Sequence, residues 1–379
     1  MRILYFSQSY TIHDYRFLEA LGKSEHEIYF LQLEDEGLLQ EKRSLPSGVT
    51  KLYWARKSRQ IDFPDDLTAS IEEFAKIVEQ IRPDVVHAGP IHSCTYIAAA
   101  AKTQQLLAAS WGSDLLIDAD RTQALHDRAC FALNHAEMLL ADCDEVTEKA
   151  HALTGFPYDR IVQFPWGVDL DVFRPGVGEA GIRSQFDSDA FILLSTRRWE
   201  TNFGILDLLD AFLEAYQAIP QLSLLLLGDG SLRSEIEAFV SRNRLSRVVR
   251  MPGQIPGPSL PDYYRAANLY VSCTLSDGSS ISLLEAMATG LPVVATDRPS
   301  NREWINEDSG GLLVKFGDSS AVRNAIVQIA SMGTSKRNEW GNWNLAIARE
   351  RADWKKNFQK LLAGYERIRG QALRKKSKS

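Results

Sequence analysis

The chain reads as an α/β protein of two Rossmann-like halves. Short apolar runs alternate with helical patterns throughout, the mark of parallel βαβ units. That rhythm breaks once, at Phe164–Gly178, and then begins again. Length agrees, because 379 residues exceed the roughly 250–300 at which a single core stops growing.

In the first half the strand candidates are Arg2–Ser7, Glu27–Gln32, Thr50–Trp54, Asp84–Ala88, Leu107–Trp111 and Met138–Ala141. Helical spacing of apolar residues places helices over Asp14–Leu21, Asp66–Ile81, Cys94–Gln105, Asp118–His135 and Asp144–Leu153. The segment Phe164–Gly178 carries two prolines, three glycines and the acids Asp169 and Asp171, a turn-rich connection. The second series of strands is Phe191–Ser195, Leu222–Leu227, Val248–Met251, Leu269–Ser272, Pro292–Thr296 and Gly311–Val314. After Ser320 the pattern is helical. Its last block, Trp354–Ile368, puts Phe358, Leu361, Leu362 and Tyr365 on one face, to close the second half or cross back to brace the first. These patterns predict domains over 1–172 and 173–352, with 353–370 available to either, and a disordered basic tail over 371–379. Open α/β sheets bind ligands at the carboxyl ends of their strands, so the chemistry is expected there, between the two halves.

Composition narrows the partners. A formal charge of −6 argues against nucleic acid, which needs a net basic face. The four cysteines, Cys94, Cys130, Cys143 and Cys273, are scattered through apolar runs and read as free thiols. The start MRILYFSQSY reads as a first buried strand and not a signal peptide, and no window has about 18 uncharged apolar residues. A cytoplasmic location is expected. The tail has Arg367, Arg369, Arg374, Lys375, Lys376 and Lys378 and no acid, a solubilising end or a patch for anionic lipid at the inner membrane face.

The richest segment is LYVSCTLSDGSSISLLEAMATGLPVVAT, from Leu269. A strand ends at Ser272, a small polar loop through Asp277, Gly278 and Ser279 follows, and a helix opens near Ser280. A helix start offers unpaired N–H groups and a positive dipole end, which suit a phosphate. Serine there also caps helices without any ligand. Glu285 interrupts the apolar run Ile281, Leu283, Leu284, Ala286, Met287, where a carboxylate is costly unless it accepts hydrogen bonds. A ribose diol would supply them.

Asp277-x7-Glu285 followed by AMATGLPVVAT resembles the E-x7-E signature of the family 4 glycosyltransferases, which have the GT-B fold: two Rossmann-like domains facing across a cleft. FPWGVDLDVF (164–173), LLSTRRWETNFGILDLLDAF (193–212), LLLLGDGSLRSEIE (224–237), MPGQIP (251–256) with LPDYYRAANLYVSC (260–273), and REWINEDSGGLLVKFGD (302–318) are similar to further family segments, in the family's order. The resemblance implies a retaining hexosyltransferase using a nucleoside-diphosphate sugar as co-substrate, a hydroxyl acceptor that could be lipid-linked, and no cofactor. Glu285 would hold the ribose, and the N–H groups of Ile281 and Ser282, beside Gly278 and Ser280, the diphosphate. Asp277, one methylene shorter than the family's usual Glu, would face the sugar. Arg198, or its neighbour Arg197, would neutralise the leaving group, since a planar guanidinium suits two phosphate oxygens. The loop Gly253–Pro256, with Ile255, would border the base. Phe203 stands where the family has Lys.

On the acceptor side, VVHAGPIHS offers His87 where relatives read H-x-H, with Gly89 at the second position and His92 beyond. His13, behind Ser7-Gln8-Ser9-Tyr10, and Asp114 of SWGSD are further candidates, though a lone histidine is more often a structural hydrogen bonder. The sequence has no Asp-x-Asp at a strand end and no His/carboxylate cluster, so no metal is expected. A dinucleotide-binding oxidoreductase is disfavoured because Arg233 replaces the third glycine after Gly228 and Gly230. A phosphorylase should be longer and carry a pyridoxal lysine. An epimerase on the same fold and a non-catalytic sugar-nucleotide binder compete with the transferase.

Overall fold

The computed structural model describes residues 1–34, 41–55 and 67–376. The expected helix start at Asp66 and the tail residues 377–379 lie outside them. Two compact units divide the chain, one from Met1–Phe164 with Phe358–Ser379 and one from Pro165–Asn357.

The first unit carries β1 (Arg2–Ser7), β2 (Glu27–Gln32), β3 (Val49–Lys51), β4 (Val85–Gly89), β5 (Leu106–Ala109), β6 (Met138–Ala141) and β7 (Ile161–Gln163). They form one parallel sheet in the order β3-β2-β1-β4-β5-β6-β7. Central strands such as Val85–Gly89 are buried along their whole length, because helices cover both faces of a parallel sheet. β7 has no counterpart in the sequence reading. The expected helix over Cys94–Gln105 is an irregular turn at Ile91–Thr95 followed by Tyr96–Ala100. The final helix, Trp354–Lys376, buries Leu361, Tyr365 and Ile368 in this unit, and Tyr365 meets His87 Nδ1 at 2.7 Å. That helix runs through 371–376, where a disordered tail was expected, because its backbone turns continue past the last buried residue, Ile368.

The second unit carries β8 (Phe191–Ser195), β9 (Leu222–Leu227), β10 (Val249–Gly253), β11 (Leu269–Ser272), β12 (Val293–Thr296) and β13 (Gly311–Val314). Their order is β10-β9-β8-β11-β12-β13, again parallel. The turn-rich segment after Phe164 belongs here. Val168 N–H donates to Ala352 C=O at 2.7 Å, and Trp354 N–H donates to Val168 C=O at 3.1 Å. Asn357 also donates to the Pro165 carbonyl at 2.8 Å. These bonds move the boundaries to 164/165 and 357/358 from the expected 172/173 and 352/353.

Chain order reverses between β8 and β11, which pair side by side. Loops leaving two such strands diverge to opposite faces of the sheet and open a crevice at their carboxyl ends. The loops after Ser195 and Ser272 therefore meet at the switch point of the second unit.

Candidate functional site

Arg197 leaves the end of β8 and reaches the loop that follows β11. Its Nη1 donates to Ser280 Oγ at 3.0 Å and Ser282 Oγ at 2.9 Å, and its Nη2 donates to Asp277 Oδ2 at 2.7 Å. Only 11% of the side chain is exposed. Burial is the largest single influence and works against the guanidinium charge, but the Asp277 carboxylate together with the Tyr270 and Tyr264 phenols outweighs it, so its pKa stands above the ordinary value. The Phe203 ring lies against the guanidinium, 4.7 Å from centre to carbon, a cation–π seat in the position expected to hold a lysine. Next to it Gly204 has φ +61°, and a Cβ there would lie 2.1 Å from the Cys273 carbonyl oxygen. Glycine thus lets the two loops approach.

Ser280 is the N-cap of the helix Ile281–Ala288, yet its side chain makes no capping bond. Its hydroxyl is turned to Arg197 and lies 3.2 Å from Ser282 Oγ. A simple cap is therefore not what this serine does. The helix start, two hydroxyls and a guanidinium converge, a set of donors suited to an anion with several oxygens.

Glu285 follows one turn into the same helix. Its Oε2 accepts from the Tyr264 phenol at 2.7 Å. The Tyr264 oxygen also lies 3.1 Å from Thr196 Oγ1 and 3.2 Å from the Ser282 carbonyl. Sequence reading overlooked Tyr264, Tyr270 and Thr196. The available signal was two tyrosines in apolar surroundings, since a buried phenol needs a partner.

The structure thus gathers Arg197, Asp277, Ser280, Ser282 and Glu285, with Ile281 opening the helix and Gly278 buried in the preceding loop. Arg198, the favoured arginine of the pair, is placed elsewhere: 41% of its side chain is exposed and its partner is Glu200 at 3.6 Å. Gly253 ends β10, and its carbonyl accepts from Gly228 N–H at 2.9 Å. Ile255 packs on the apolar cluster that contains Tyr264 and Leu283.

In the first unit His87 is a core residue, 2% exposed, packed 4.5 Å from the Tyr5 ring and bonded to Tyr365. Burial lowers its pKa to about 3. A ring so enclosed reaches no substrate, so His87 is structural and not catalytic. Gly89 cannot be replaced by a second histidine, because a Cβ would lie 2.3 Å from the Ala109 carbonyl oxygen. Asp114 is buried and organises its loop: it accepts from Ile91 N–H at 2.8 Å, Ser110 Oγ at 2.7 Å, and Trp111 N–H and Leu115 N–H at 3.0 Å each. Burial raises its pKa, and those bonds together with the nearby His92 oppose the rise. His13 sits with its ring 5.8 Å from Trp111. His92 thus lies near Asp114, and His13 near Trp111 of the same loop. Among the described residues, no group of three His, Cys, Asp or Glu is placed to hold a metal.

Two family models match the chain: "Glycosyl transferases group 1" over residues 190–332 and "Glycosyl transferase 4-like" over residues 2–142. A UDP-N-acetylglucosamine–peptide N-acetylglucosaminyltransferase GtfA subunit of Streptococcus agalactiae is 29% identical over 33% of this chain and 24% of its own length. The phosphatidyl-myo-inositol mannosyltransferase of Mycobacterium leprae is 28% identical over 55% of this chain and 54% of its own. The chain therefore spans about half, or less, of these curated relatives. The crystal structure of Anabaena Alr3699/HepE in complex with UDP and glucose is similar with a TM-score of 0.77 and 20% identity. That similarity covers 96% of this chain and 98% of the other, and it shows the fold.

Proposed function

We propose a function from one premise: the chain belongs to the group 1, family 4-like glycosyltransferases with the GT-B fold. It transfers a hexose-type sugar from a nucleoside-diphosphate sugar to a hydroxyl acceptor, with retention at the anomeric carbon and without a metal. The observation that carries this reading is Arg197 held by Ser280, Ser282 and Asp277 at a helix start, with Glu285 one turn on.

As the sugar leaves, negative charge grows on the diphosphate. Arg197 and the helix N–H groups of Ile281 and Ser282 stabilise it in place, a preorganised electrostatic contribution. Glu285 accepts from the ribose hydroxyls, and Asp277 faces the sugar. The departing phosphate oxygen takes the acceptor's proton as the acceptor oxygen bonds to the same face of the anomeric carbon. His92, Asp114 and His13 are the acceptor-side candidates. The HepE structure contains UDP, which makes uridine donors the first to try.

The acceptor is a polysaccharide, a lipid-linked glycan or a small metabolite. No described helix is long and apolar enough to cross a membrane. Peripheral contact with anionic lipid at the inner membrane face would use the basic end of the last helix, where Arg369 and Arg374 flank Leu373, 59% exposed.

The test is incubation with UDP-, GDP- and ADP-sugars, with and without a chelator, following nucleotide release and product anomer. Release that survives chelation and an axial product supports the reading. Donor binding without any turnover would leave a sugar-nucleotide binder, a reading favoured by Phe203 at the expected lysine position.

A further inference from the structure

Beneath the helix Ile281–Ala288 lie two phenols, Tyr264 and Tyr270, both with no exposed surface and with rings 5.9 Å apart. Tyr264 comes from the helix Leu260–Ala266 and Tyr270 from β11. Thr196, the first residue beyond β8, lies 3.1 Å from the Tyr264 oxygen and 3.5 Å from the Tyr270 oxygen. Thr196, the Ser282 carbonyl and Glu285 thus all surround the Tyr264 hydroxyl.

That hydroxyl has a single proton. Its shortest contact is to the Glu285 carboxylate, at 2.7 Å, and a bond to an ionised acceptor is the strongest one open to it. Thr196 can then donate into the phenol oxygen, which fixes the direction of the proton. Burial, and then the Glu285 charge, holds the Tyr264 phenol well above its ordinary pKa. The phenol donates and does not ionise.

We propose that Tyr264 is a positioning residue for ribose recognition: its phenol sets the Glu285 carboxylate in the orientation that accepts from the nucleotide's ribose hydroxyls. This rests on the nucleoside-diphosphate sugar reading above. A glutamate side chain has three rotatable bonds, and one fixed oxygen removes most of that freedom before the ligand arrives. Orientation prepaid in this way appears as affinity for groups that meet the carboxylate, and nowhere else. Loss of the phenol should therefore cost binding only when the ribose hydroxyl is present.

The test measures binding of UDP, GDP and ADP, and of their 2′-deoxy and 3′-deoxy forms, to the full chain and to Tyr264→Phe. The substitution keeps the ring, and thermal unfolding checks the fold. For the nucleotide that binds, the wild type should lose about tenfold or more on removal of the hydroxyl that meets Glu285. In Tyr264→Phe the ribonucleotide should weaken about tenfold while the deoxy form changes little, so the ratio collapses. Donor KM should rise with kcat held within a few-fold. Thr196→Val, which removes one of the phenol's contacts and leaves the phenol itself intact, should shift the ratio the same way by less, and it decides the matter if Tyr264→Phe does not fold. An unchanged ribo-to-deoxy ratio in the variants overturns the role of Tyr264 and leaves the donor reading standing. Failure of all three ribonucleotides to bind the wild type overturns both.

Discussion

Arg197 and Arg198 are neighbours with different surroundings. Arg197 makes three bonds to the loop and helix after β11, while Arg198 is half-exposed and paired with Glu200. Arg197→Ala should lower turnover by roughly 10²–10³-fold, the usual cost of removing one donor from developing charge, whereas Arg198→Ala should stay within a few-fold. Steady-state kinetics on both variants checks this, and equal losses would count against it. Nothing in the order of two adjacent arginines tells which one a strand exit turns inward, so the sequence offered both. Asp277, Ser280 and Glu285 were legible because their spacing fixes them on one loop and one helical turn. The positive φ of Gly204 and its approach to Cys273 are equally local. Gly204→Ala should destabilise the second unit by about 2 kcal/mol or more, read as a lower urea midpoint.

At the scale of elements, β1, β4 and the helix Ile12–Gly22 enclose two buried titratable groups of opposite tendency. Asp14, capping that helix and bonded to Tyr5 at 3.1 Å, has its pKa raised by burial from 3.8 to about 6. His87, on the other side of the same Tyr5, has its pKa lowered by burial from 6.5 to about 3. The folded state therefore holds the Asp14 proton more tightly than the unfolded chain, so this term loses stability as pH rises from about 4 to 6. It holds the His87 proton less tightly, so that term loses stability as pH falls from 6.5 towards 3. Each contributes a slope of about 1.4 kcal/mol per pH unit, and over pH 4–6 they oppose. The Asp14 and His87 contributions should nearly cancel there, and a variant at either residue is read as a difference from the wild-type profile. Asp14→Asn should then gain stability with rising pH, and His87→Gln should lose it, in urea titrations at fixed pH steps. Variant curves parallel to that of the wild type would refute the offset. Elements of this kind were legible where apolar runs were long: nine of the strands lie within a residue of the sequence reading at each end. Ile161–Gln163 escaped it, being three residues with one buried side chain, too short to carry a period.

At the scale of the whole chain, two α/β units and their switch points follow from the repeated rhythm and the break at Phe164. The exact division did not, because it depends on bonds between Val168 and Ala352, nearly two hundred residues apart. The helical end past Ile368 bears on lipid contact. If it binds anionic membranes, the full chain should sediment with phosphatidylglycerol vesicles and not with phosphatidylcholine ones. A chain ending at Gly370 should sediment several-fold less. Equal sedimentation of both would end that idea.

The bond between His87 and Tyr365 carries one more consequence, for the order in which the protein matures during translation. The unit begun by Met1–Phe164 is completed by a segment translated only after the whole of the second unit, since Leu361, Tyr365 and Ile368 are buried in it. The continuous unit Pro165–Asn357 can reach its native state while the earlier one still waits with an open apolar flank. Nascent chains released near residue 350 should thus present a protease with a cleavable amino-terminal part and a resistant remainder, the reverse of simple vectorial folding.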